Sequence, residues 1–168
     1  QMRTQTSAQT LGNHDYNRNS PQGLFNQHFN LPNQWEEDPT GGNYWFTQND
    51  VLHINVSTEN RDFESHRKFI EQTIEQQGAE ATWTILTFHR SIYSVGPHAL
   101  TDGADIRRDF APILAEIDGI DMVLAGHDHT YARTHLMDGM DVASEETTTA
   151  PDGHDQLHPE DGELLYIT

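Results

Sequence analysis

"DMVLAGHDH", Asp121 to His129, is the stretch on which the fold turns. Asp121 to Ala125 form a short apolar run of the buried-strand type, and Gly126 ends it where two histidines begin to alternate. On an extended segment residues i and i+2 point the same way, so His127 and His129 would present both imidazoles to one side. Packing alone gives little reason for such a pair directly after a glycine, whereas ligation of a metal does.

Upstream, "ADIRRDFAPILAEIDG" sets Ile106, Phe110, Ile113, Leu114 and Ile117 at helical spacing, with Pro112 implying a kink or a late helix start. Before it, "TWTILTF", Thr82 to Phe88, is another apolar strand and runs into His89. "RDFESHRKFIEQTIEQQG" places Phe63, Ile70 and Ile74 on one helical face and stops at Gly78. "GGNYWFTQNDVLHINVST" carries two aromatic and β-branched runs around "TQND", which predicts a hairpin with Leu52, Ile54 and Val56 on one face. The succession β, helix, β, helix, β favours a layered α/β sheet with right-handed crossovers.

Composition narrows the function. The 168 residues suit one domain with a core of its own. Asp and Glu number 27 against 9 Lys and Arg, a net charge of -18, which argues against nucleic acid or anionic membranes held through a basic patch. An anionic substrate would be repelled unless a bound cation reversed the local sign. Cysteine is absent, so disulfides and thiolate metal sites are excluded, and no stretch is apolar enough for a membrane span. Eleven histidines in so acidic a chain are the oddity, since His with Asn or Asp oxygen is how a cysteine-free protein holds a transition metal.

In open α/β sheets the loops at the carboxyl ends of strands converge on one edge, where ligands bind. "GNHD", "FHRS" and "GHDH" each follow an apolar run, and together they would bring Asn13, His14, Asp15, His89, His127 and His129 to that edge. Taken alone, "TLGNHDYNRN", Thr10 to Asn19, reads equally as a polar turn. His28, His53, His66, His135, His154 and His158 sit in no strand-end context and read as structural or solvated.

The blocks "GNHD" at Gly12 to Asp15, the strand-terminal His89, and "GHDHTYAR" at Gly126 to Arg133 resemble the later blocks of the calcineurin-like metallophosphoesterases. The nearest pattern is the purple acid phosphatase branch, whose final block reads GHxHxYxR. "GNYWF", "ATWTILTFHRSIYS" and "GPH" also resemble bacterial members of that branch. The resemblance implies a layered β-sheet sandwich flanked by helices. It implies that Asn13, His89 and His127 bind the second of two metal ions and His129 the first. His14 would then face the substrate phosphate or leaving group, with Asp15 orienting its imidazole. His98, in "SVGPHAL", would be a substrate-facing histidine, or else an ordinary residue of a polar loop. Tyr131 and Arg133 are expected to be structural.

No aspartate precedes Gly12, whereas the family's two earlier blocks each carry one. Residues 1–168 therefore read as the C-terminal part of one phosphoesterase domain, whose N-terminal part would be its partner. Residues 138–163 read as an acidic insertion loop before a final strand "LLYIT". For the complete protein the resemblance implies hydrolysis of small phosphate esters with two divalent or mixed-valence ions of iron, manganese or zinc. The 168-residue chain alone is expected to hold at most one ion and to be inactive. The alternative is a non-catalytic metal-binding or interaction module on the same scaffold. By the habit of bacterial members, the place of work would be outside the cell or at its surface.

Overall fold

A computed structural model describes residues 7–16, 23–144 and 147–168. After a short helix α1, Gly23–His28, strands β1, Tyr44–Gln48, and β2, Val51–Asn55, form the expected antiparallel hairpin. Its two-residue turn has positive φ at both Asn49 (50°) and Asp50 (62°), the handedness that matches the twist of the paired strands. Asp38 shapes the approach to β1, its carboxylate accepting the N–H groups of Thr40, Gly42 and Asn43 at 3.1, 2.8 and 3.0 Å.

Helix α2, Phe63–Gln77, starts at Asp62, whose Oδ1 accepts the Ser65 N–H at 3.1 Å. Phe63, His66, Phe69, Ile70 and Thr73 line its buried face. Gly78 ends α2 without the left-handed cap expected of a terminal glycine: its φ is -62°, and the chain continues as a 3-10 turn over Gly78–Glu80. Strand β3, Trp83–Arg90, lies parallel to β2 and runs through His89. Helix α3, Asp102–Ala115, contains Pro112 in its interior, so the late start does not occur.

Strand β4, Met122–Gly126, is parallel to β3. The acidic segment holds more regular structure than a loop. Strand β5, Arg133–Asp138, turns at Gly139 into β6, Asp141–Ser144, and two-residue strands β7, Thr148–Thr149, and β8, Asp155–Gln156, pair as a separate ribbon. Gly139, with φ 57°, makes the turn from β5 into β6, and β6 forms where charge alone suggested solvated coil. The last strand, β9, Glu163–Ile167, enters between β4 and β5, giving a seven-stranded mixed sheet of order β1-β2-β3-β4-β9-β5-β6.

Alternate residues of this sheet, Leu52, Ile54, Leu86, Phe88, Val123 and Tyr166, share one buried cluster with Phe69, Ile70, Phe110 and Leu114 of the helices. The intervening residues, among them Ile85, Leu124 and Leu165, are half-buried. No helix among the described residues is long and apolar enough to cross a membrane.

Candidate metal centre

Three chain segments meet where β3 and β4 end. The pairing of β3 with β4 is irregular between Thr87 and Arg90, which frees His89 from the ladder. The segment 7–16 is tied down by Thr10 Oγ1 donating to Asn55 Oδ1 at 2.9 Å and by Tyr44 donating its hydroxyl to Gln9 O at 2.9 Å. Among the described residues no strand precedes Gly12, although the apolar approach suggested one. Gly12 packs closely on His89: a Cβ there would stand 3.1 Å from His89 Cε1 and press on the imidazole.

At β4 the sequence expectation needs correcting. His127 and His129 do not lie on extended backbone: their φ angles are 74° and 53°. Asp128 donates its N–H to Gly126 O at 2.9 Å, closing a tight turn around His127. Left-handed backbone at such a residue costs on the order of 1–3 kcal/mol and is found mainly at functional sites. The turn separates the two imidazoles. The His127 side chain is only 6% exposed and faces His89, whereas His129 is exposed.

Asn13, His89 and His127 are brought together. Asn13 Oδ1 lies 2.8 Å from His89 Nε2, which lies 3.2 Å from His127 Nδ1. Burial lowers the proton affinity of both histidines, and the nearby His127 and Arg90 add to this for His89, as His98 and Arg90 do for His127. Neutral imidazole is the form that ligates. Two nitrogens and an amide oxygen converging from separate segments fit one ion of the iron, manganese or zinc kind.

His98 joins the group through a residue that sequence reasoning missed. Asp102 Oδ1 accepts from His98 Nδ1 at 3.0 Å, and Asp102 Oδ2 lies 3.2 Å from His127 Nε2 and is paired with Arg90. The His98 and His127 rings have centroids 3.9 Å apart. Arg90 is braced from behind by Glu59, at 2.6 Å. Burial alone would raise the Asp102 pKa, yet the bonds from Arg90, His98 and Thr101 hold its carboxyl well below the usual range. The spacing His98-x-x-x-Asp102 across the start of α3 was the available signal. His98, Asp102 and His127 present ligand atoms within 4.8 Å of one another, a possible metal-holding group in its own right, but the Arg90 guanidinium already occupies Asp102.

Asp128 fastens the loops behind the site. It is 6% exposed, and it accepts the His98 N–H at 2.9 Å and the Ser91 hydroxyl at 3.2 Å.

His14 and Asp15 are exposed and line a cavity of about 310 Å³ with Phe25, His28 and Phe29. His28 and Phe29 also border a larger cavity of about 460 Å³, on the side of β1 and away from the histidine cluster. Asp15, expected to orient His14, instead closes its own loop, Oδ2 accepting the Gly12 N–H at 3.1 Å. No hydrogen bond joins the two side chains among the described residues. Tyr131, expected to be structural, is 76% exposed.

The model of the calcineurin-like phosphoesterase family matches residues 8–131, a span that includes every residue of this cluster. Among solved structures the chain is similar to a purple acid phosphatase isolated from yellow lupin (Lupinus luteus) seeds. The likeness has a TM-score of 0.52 at 16% identity, over 83% of this chain and 24% of that one, and concerns the fold. This chain thus spans about a quarter of that structure's length. No curated protein sequence matches it. A family match over that much of the chain, on a sheet of the corresponding fold, makes this protein a member of the calcineurin-like phosphoesterase family.

Proposed function

We propose that the chain supplies the ligands of one metal ion and the leaving-group side of an active site that hydrolyses phosphate esters. The convergence of Asn13 Oδ1, His89 Nε2 and His127 Nδ1 carries this reading. These three residues would hold the ion; His129 would serve a second one in the complete protein, where the centre is dinuclear. Bound metal ions supply Lewis-acid polarisation of the phosphoryl group and neutralise its developing charge.

The chain's own groups do the rest. His14, exposed on the wall of its cavity, delivers a proton to the departing oxygen. Asp15 keeps the Gly12–Asp15 loop closed and so fixes the neighbours Asn13 and His14 relative to each other. His98, fixed by Asp102 over the His127 ring, hydrogen-bonds a phosphoryl oxygen.

A net charge of -18 would otherwise repel phosphate, so binding of the anion should depend on the cation. Equilibrium dialysis of the 168-residue chain with Mn²⁺, Fe²⁺ or Zn²⁺, with and without inorganic phosphate, tests the proposal. The expected result is about one ion per molecule, because a second would meet the repulsion of the first without an anion between them. Phosphate should be taken up only by the loaded chain, and His89→Ala or His127→Ala should abolish both. Undiminished metal uptake by these two variants would refute the assignment.

A further inference from the structure

The carboxylate of Asp102 makes four contacts, and together they decide which nitrogen of His127 carries the proton. Oδ1 takes the His98 Nδ1 at 3.0 Å and the Thr101 hydroxyl at 3.1 Å. Oδ2 takes an Arg90 guanidinium nitrogen and faces His127 Nε2 at 3.2 Å. Asp102 is the first residue of α3, where the helix dipole favours an anion, and Arg90 is itself fixed on Glu59 at 2.6 Å. A carboxylate paired with arginine is ionised and can only accept. His127 Nε2 must therefore be the protonated nitrogen, which leaves its lone pair on Nδ1. That atom is the one 3.2 Å from His89 Nε2, in the group with Asn13.

We propose that Asp102 is the positioning residue of the metal centre, fixing His127 as the Nε2–H tautomer with its Nδ1 aimed at the ion shared with His89 and Asn13. The proposal rests on the metal-holding reading of those three residues. Asp102 would not contact the ion itself; it acts through His127, in the way that outer carboxylates set the tautomer and basicity of ligating imidazoles. The same carboxylate fixes His98 through its Nδ1–H, so one side chain sets the orientation of both rings.

Two measurements on the 168-residue chain decide the matter. The first is the ¹⁵N NMR tautomer assignment of His127 without metal, in the parent and in Asp102→Asn. The parent should show Nε2–H; the variant should show a mixture or a shift toward Nδ1–H. The second is Zn²⁺ affinity, which should fall about 10- to 100-fold in Asp102→Asn while urea unfolding shows the fold retained. Nδ1–H in the parent overturns the proposal without need of any variant, and so does parental Zn²⁺ affinity in a folded Asp102→Asn. A parent that binds no Zn²⁺ overturns the metal-holding reading instead, and the tautomer comparison still decides whether Asp102 sets the proton on His127.

Discussion

Asn43 Nδ2 donates a 2.9 Å hydrogen bond to His66 Nδ1 in the interior, where both residues have 0% exposure. The other ring nitrogen, Nε2–H, donates to Asn60 O at 3.1 Å, so the geometry is written for neutral imidazole. Burial lowers the His66 pKa below its ordinary 6.5, chiefly by desolvation. A histidine depressed in the folded state contributes stability above 6.5 that is lost as pH falls through the folded value. Urea unfolding midpoints are therefore expected to drop on going below pH 6.5, and to drop less in His66→Gln, where no proton is taken up.

Gly96 lies against Asp128 so closely that a Cβ would stand 2.5 Å from its Cγ. Gly96→Ala must displace either the loop or the carboxylate that holds the His98 amide. Overpacking of this kind costs about 1–3 kcal/mol, readable in thermal or urea unfolding.

On the proposed reading, the loop at Gly12 divides its labour between neighbours. In the complete protein, if it turns over phosphate esters as proposed, His14→Ala is expected to lower turnover by roughly two to four powers of ten with metal content unchanged, as loss of a general acid does. Asn13→Ala is expected to lower metal content. Elemental analysis beside hydrolysis of an aryl phosphate checks both, and equal metal loss in the two variants would contradict the division.

Phe110 has ring centroids 4.8 Å from Phe63, 5.8 Å from Phe88 and 6.0 Å from His66, which makes it the meeting point of α2, α3 and β3. Phe110→Ala should cost about 3–5 kcal/mol of stability, measured by denaturant titration.

The parts of the fold that the sequence made legible are those whose pattern is local. The β1–β2 hairpin, α2, β3, α3 and β4 each carry their own period, and their ends bring His89 and His127 together as strand-end logic requires. The arrangement of the last third was not legible, because short strands such as β6 and β9 owe their places to pairing across the sheet rather than to spacing along the chain. Asp102 was missed for a related reason. Written in "TDGADIRRDF" it looks like an ordinary helix start, and only the fold brings His127 and Arg90 to it. His129 was placed beside His127 on the assumption of extended backbone, and a local turn with positive φ at both histidines overrode the two-residue alternation.

The position of β9 between β4 and β5 also bears on how the sheet is made. β4 is parallel to β9, and β5 reaches the rest of the sheet by pairing antiparallel to β9. During synthesis β4 has a bare edge, and the β5–β6 hairpin has no sheet to join, until Glu163–Ile167 leave the ribosome. Completion of the sheet is thus the insertion of a late strand between two earlier parts, and the nascent chain carries two unpaired strand edges until it happens.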